Sequence, residues 1–411
     1  MRLADWVARA SSDLNDSSPD HQANSNLTIT RSPIQLPDYP ITRLPNSSSS
    51  PSPRRILLVR LRQIGDVVFT TPAIHALRRQ FPNAHLTYVV EPAAAPVVSH
   101  NPHLDEILIA PRATGVRALL NDIALGRRLR HARYDLAIDF HGGPRASLLT
   151  WLSGAPTRIG YHVIGRSWMY TQRVARPRTL RPRHSVENQW DLLEVLDIVP
   201  PDRVRFPVEM PVEHETARSV ATRLASAGVE PADRVVVVHV SAGNPFRRWP
   251  MAHFVRLVTA LVRDAPATRV IVTAGPSERN AAERVIAEAR AALGEDGADV
   301  LSCGEFSLAE LRALFDRAAL FIGGDSGPLH IAATSTVPIV GLYGPTLPIR
   351  SAPWRDERWA AASIDAGDLP CRPCHQRVCA PGDFRCLTRI SPEQVIEAAV
   401  RTLEQSAAAK M

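Results

Sequence analysis

From Arg54 the chain alternates short apolar runs with longer stretches of helical periodicity, halts at a proline-rich segment, and then begins the same alternation again. The first round reads "RILLVRL", a helical stretch over 66–80, "HLTYVV", "EILIA", a helix over 116–131, "YDLAIDF" and a helix over 145–153. After "IVPPDRVRFPVEMP" the second round reads "RVVVVHV", a helix over 251–264, "TRVIVTA", a helix over 277–293, a short strand near Val300, a helix over 308–318 and "LFIGG". A β-α-β-α rhythm selects a parallel sheet covered by helices on both faces. At 411 residues the chain exceeds one compact core. The prediction is an α/β protein of two Rossmann-like domains, 54–205 and 206–411, with parallel sheets facing across a cleft that holds the site. Ser307 with Glu310, and Ser391 with Pro392 and Gln394, mark capping-box starts for two later helices, the second being a C-terminal helix.

Residues 1–53 do not share this rhythm. They hold 11 Ser and 7 Pro and end in "LPNSSSSPSPRR". Such a composition buries too little apolar surface to offset the entropy of ordering, so the segment is predicted to be a disordered tail. No run approaches the roughly 18 apolar residues of a membrane span, and "MRLADWVARASSDLN" lacks a signal-peptide core. A cytoplasmic location is expected. The net charge of +7 favours anionic partners. No basic run with interleaved aromatics occurs, so phosphorylated small molecules or lipids are expected rather than nucleic acid.

The segment "FIGGDSGPLHIAATSTVPIVGLYGPT", 321–346, concentrates conformationally special residues at one strand-to-helix crossing. In an open parallel sheet, ligands bind beyond the carboxyl ends of the strands, where helix N-termini point. Gly323, Gly324 and Gly327 let the backbone turn tightly and let an anion approach its amides. Pro328 suits a first helical turn, and the Ser326 hydroxyl and exposed N–H groups are placed to hold phosphate oxygens. An ordinary glycine-rich turn with Ser326 or Asp325 as N-cap would use the same residues. The pattern is neither Gly-x-Gly-x-x-Gly nor a P-loop, which disfavours dehydrogenase and ATPase chemistry.

Four separated segments resemble glycosyltransferase family nine, the bacterial ADP-heptose:lipopolysaccharide heptosyltransferases. They are "ILLVRLRQIGDVVFTTPAIHALRRQFPNAHLTYVV", "YDLAIDFHGGPRASLLTWLSGAPTRIGY", "VVVHVSAGNPFRRWPMAHFVRLV" and "LFIGGDSGPLHIAATSTVPIVGLYGPT", in the family's order. The resemblance implies a GT-B fold, inverting transfer without a metal or other required cofactor, and a nucleotide-sugar donor held mainly by the second domain. It implies a lipopolysaccharide-core acceptor at the inner membrane face, where the enzyme would be peripheral. A non-transferase GT-B enzyme such as a nucleotide-sugar epimerase, or a transferase using another sugar nucleotide, is the alternative. An epimerase needs no separate acceptor site.

The resemblance places the general base at Asp66, which as an Asp at a helix start could equally be its N-cap. It places a cation for the departing diphosphate at Arg247, where the family usually has lysine; either Arg247 or Arg248 faces the phosphates. An arginine fork contacts two phosphate oxygens at once. Ser241 and Gly243 are expected to add hydroxyl or backbone contacts, with Gly324, Asp325, Ser326 and Gly327 forming the cradle. His330, one helical turn on, touches the donor or packs in its helix. His141, Gly142, Gly143 and Arg145 are expected to line the acceptor side. "RVARPRTLRPR" at 173–183 is read as a solvated loop, with a phosphorylated lipid headgroup as the alternative. Cys371, Cys374, Cys379 and Cys386 form C-x2-C-x4-C-x6-C within the Cys-rich segment 371–386. They are weighed as a structural metal site without catalytic role, disulfides being disfavoured in the cytoplasm.

Overall fold

The computed structural model describes residues 52–175, 183–240, 242–265 and 267–408. The tail up to Pro51, most of the arginine run, and Ser241 lie outside them. The first sheet comprises β1 (Arg55–Val59), β2 (His85–Val90), β3 (Glu106–Ile109), β4 (Leu136–Asp139), β5 (Thr157–Tyr161) and β6 (Gln172–Val174). The second comprises β7 (Arg234–His239), β8 (Thr268–Thr273), β9 (Val300–Leu301), β10 (Leu320–Gly324), β11 (Ile339–Tyr343) and β12 (Ala361–Asp365). The orders are β3-β2-β1-β4-β5-β6 and β12-β11-β10-β7-β8-β9, with parallel pairing throughout. Read from its other edge, the second sheet repeats the order of the first. The expected pair of Rossmann-like units is what folds.

Each order reverses once, between β1 and β4 and between β7 and β10. At such a switch point adjacent crossovers leave toward opposite faces, opening a crevice beyond the carboxyl ends. All four segments that carry the predicted site follow one of these four strands. The topology therefore delivers Asp66, His141, Arg247 and Ser326 to the crevices.

Strand alternation builds the core. Ile56 and Leu58 join a cluster that runs on into the second unit through Val67, Phe69, Leu329 and Ile331. Leu57 and Val59, pointing the other way, pack under Leu125, Leu129, Ala146 and Leu149 on the first sheet's outer face. The outer face of the second sheet packs beneath the helices Met251–Arg263, Arg279–Leu293 and Pro392–Ala408. Both capping boxes form: Ser307 with Glu310 and Ser391 with Gln394 exchange their reciprocal bonds.

The single helix expected over 66–80 is two, Ile64–Val68 and Thr71–Gln80. Pro72 supplies no N–H, so the helical bond back to the Val68 carbonyl cannot form. The Thr70 and Thr71 hydroxyls donate back to the Val67 and Val68 carbonyls at 2.6 and 2.8 Å, closing the first helix.

Candidate functional site

After β1, Gln63 adopts φ 61°, a left-handed conformation that costs a non-glycine residue about 1 kcal/mol or more. Gln63, not Asp66, is the N-cap residue of Ile64–Val68. Asp66 stands in the first turn with its side chain 37% exposed and pairs with the Arg60 guanidinium. Arg60 also donates to the Phe140 carbonyl at 2.6 Å, tying the end of β1 to the end of β4.

Beyond β4, the buried Asp139 carboxylate accepts from the His141 and Gly142 N–H groups at 2.8 and 2.9 Å and from the Tyr170 hydroxyl at 2.6 Å. Burial pushes its carboxyl above the ordinary range despite those bonds. The loop closes around His141, whose Nδ1 accepts from Leu61 N–H at 3.3 Å. A Cβ on Gly143 would fall 2.7 Å from the His141 ring, and Gly142 holds φ +66°, so both glycines are required by the turn. Arg145 is committed to the protein: it holds both oxygens of Asp122, the Pro111 carbonyl and Glu91. It braces the loop after β4 against the helix Gly115–His131.

In the second unit, Arg247 Nη1 lies 3.1 Å from the Asp325 carboxylate and donates to the Asp325 carbonyl at 2.9 Å. Its Nε donates to Gln376 Oε1 at 2.7 Å, and Gln376 also receives Asn244 Nδ2–H at 2.8 Å. Arg248 turns away to Glu278 and the Ala242 carbonyl. Of the two arginines left open by the sequence, Arg247 faces the glycine-rich turn. Nothing lies within 4 Å of a Cβ built on Gly243, whereas one on Gly324 would sit 3.2 Å from the Arg247 carbonyl. Trp249 is buried and donates to the Ile390 carbonyl at 2.9 Å, a packing role.

Asp325 is 2% exposed. Burial pushes its carboxyl up, but His330 and Arg247 outweigh this and hold it below the ordinary value. In this position it orients Arg247 and His330 rather than meeting an anion. Ser326 is the N-cap of Gly327–Ala332, yet its hydroxyl makes no capping bond and is buried without a hydrogen-bond partner. A buried hydroxyl left unpaired costs free energy.

The two halves meet at this turn. A Cβ on Gly65 would fall 2.3 Å from the His330 ring, and one on Gly327 3.1 Å from Ile64. His330 is buried, lies 3.4 Å from Asp325 through Nε2, and has its ring 4.5 Å from that of Phe69. It is a packed helix histidine that joins the Asp66 turn to the Ser326 turn. Sequence reasoning missed Arg60 and Gln376, whose roles arise from partners 80 and 129 residues away.

The five described cysteines form no disulfide. Among the described residues, the group whose ligand atoms lie within 4.8 Å of one another is His75, His103 and Glu209. As placed, Cys371, Cys374, Cys379 and Cys386 do not make a comparable ligand set. The His75 and His103 rings stack 4.2 Å apart, and each bonds a different Glu209 oxygen, so the carboxylate is satisfied by two imidazoles.

The family model described as glycosyltransferase family 9 (heptosyltransferase) matches residues 123–383. Lipopolysaccharide heptosyltransferase 3 of Escherichia coli is 27% identical over 316 residues, covering 76% of this chain and 90% of that protein. A glycosyl transferase family 9 structure from Veillonella parvula DSM 2008 matches with a TM-score of 0.74 at 25% identity, over 86% of this chain and 98% of that one. The structure of Escherichia coli ADP-heptose lps heptosyltransferase II matches at 0.69 and 20% identity, over 86% and 99%, a likeness of fold.

Proposed function

This chain belongs to glycosyltransferase family 9 and is a glycosyltransferase enzyme, and we propose that it transfers heptose from ADP-heptose to the inner core of lipopolysaccharide. The reaction is read as inverting and metal-independent. The Asp66 carboxylate takes the proton from the acceptor hydroxyl as that oxygen attacks the anomeric carbon. The bond from that carbon to the diphosphate breaks on the opposite side, and the diphosphate leaves with the electron pair. Arg247, braced by Asp325 and Gln376, neutralises the growing charge, and Ser326 binds a phosphate oxygen. A permanent cation beside the leaving group supplies the charge compensation this step needs.

The observation that carries this reading is the contact of Gly65 with His330 and of Ile64 with Gly327. It brings the turn that carries Asp66 against the helix start that carries Ser326, which supports a reading in which base and leaving-group site share one crevice. Among the described residues no helix is long and apolar enough to cross a membrane. We place the enzyme in the cytoplasm, peripheral to the inner face of the inner membrane, where a lipid-linked acceptor is presented.

A screen of sugar nucleotides against core acceptors, with products identified by mass spectrometry, tests the reading. A heptosylated acceptor formed from ADP-heptose is expected. Donor conversion without acceptor would indicate epimerase chemistry instead.

A further inference from the structure

The outer helical layer of the first sheet is apolar where it faces outward. Among the described residues, six of the thirteen large exposed apolar side chains lie there: Val116, Leu119, Leu120, Ile123, Trp151 and Trp168. Scattered exposed apolar residues are ordinary, but a contiguous group on one layer marks an interaction surface. The helix Gly115–His131 already has its packing face, through Leu125, Gly126 and Leu129. Val116, Leu119, Leu120 and Ile123 repeat at i, i+3, i+4 and i+7 on the other side. Leu119 and Leu120 are each 59% exposed.

The neighbouring helix Pro144–Leu152 packs alongside, with Leu152 against Gly126. It adds Trp151, whose ring stands 5.5 Å from that of Trp168, itself 57% exposed. Charge identifies the occupant. Residues 111–133 carry six arginines and one acid, Asp122. That acid is taken by Arg145. Arg127 continues the apolar line one turn further, while Arg117 and Arg128 flank it, Arg128 being paired with Glu106. Leucines and tryptophans bordered by arginines suit the interface of an anionic bilayer, where the rings sit at headgroup level and the guanidinium groups meet phosphates.

We propose that this face docks the enzyme on an anionic lipid surface. Asp122 links the apolar turns to Arg145 and so to the His141–Gly143 loop, which places the acceptor side of the crevice next to the membrane. The inference rests on the proposed reading for the need to reach a lipid-linked acceptor.

The test is co-sedimentation of the full chain with vesicles of phosphatidylethanolamine and phosphatidylglycerol, and with phosphatidylcholine alone. The wild type should bind the anionic vesicles, and less so as salt rises. A Leu119→Asp/Leu120→Asp variant should lose about tenfold or more of this partitioning, since the apolar face drives insertion. Its melting temperature and ADP-heptose binding should be unchanged, because both side chains are exposed. Bromolipid quenching of tryptophan fluorescence should fall in Trp151→Phe/Trp168→Phe. The vesicles hold no acceptor, so the result is independent of the donor assignment. Equal sedimentation of wild type and variant, no sedimentation of either, or a dimer abolished by the variant without vesicle binding would each overturn the proposal.

Discussion

Arg247 shows what one residue gains from its neighbours. The sequence offered two adjacent arginines, and adjacency cannot tell which faces the turn; Asp325, Gln376 and Glu278 make that choice, all far away in the chain. The glycines and Ser326 stood out through local backbone demands, and Asp66 only through the resemblance of its whole segment to the family. Arg60 and Gln376 did not, because only the folded chain brings their partners near. Removing Arg247 should damage the transition state more than the ground state, since charge grows on the leaving group. Arg247→Ala should lower kcat over KM for the donor by about 2–4 kcal/mol, with a loss in kcat itself. Arg247→Lys should recover part of it by restoring a point charge. Ser326→Ala should cost less, and the double mutant should be non-additive. Steady-state kinetics with donor varied at saturating acceptor measure this, and an effect confined to acceptor affinity would place the diphosphate elsewhere.

At the scale of elements, periodicity revealed most strands and helices but not β5, β6, β12 or the helices Ser185–Glu194 and His214–Ser226, while the break at Thr70–Pro72 followed from side chains bonding back to the first helix. The connection between the units was opaque in sequence, because what holds it is tertiary. Glu209 lies in that connection; its N–H donates to Thr71 Oγ1 at 2.9 Å and its carboxylate receives His75 and His103. Burial alone would raise the Glu209 carboxyl, but the two imidazoles prevail and hold it down to about 2 from an ordinary 4.5. A carboxyl depressed by folding contributes stability that is complete above the unfolded value and is lost as pH falls through the folded one. Glu209 should therefore contribute about 2–3 kcal/mol above pH 4.5, draining away toward pH 2. Denaturant melts of wild type and Glu209→Gln should differ most near neutral pH and converge in acid. A constant difference across that window would show that the carboxylate's charge is not what matters.

For the whole molecule, the two matching sheet orders explain why residues from four distant segments converge; the alternation in the sequence implied two parallel sheets but not their strand orders. What the alternation could not give was the seam between the units, which depends on Gly65 leaving room for the His330 ring. The central claim is that this seam joins a base from one unit to a leaving-group cradle in the other. Asp66→Asn tests it most directly, since it removes the proton acceptor while keeping the side chain's size. Asp66 is not the N-cap and belongs to the first unit, so donor binding in the second should survive. Calorimetric titration of ADP-heptose and single-turnover transfer should be measured on the same preparation. The account predicts near-normal donor affinity with transfer slowed by about 100-fold or more. Near-normal transfer, or loss of donor binding in a folded variant, would contradict it.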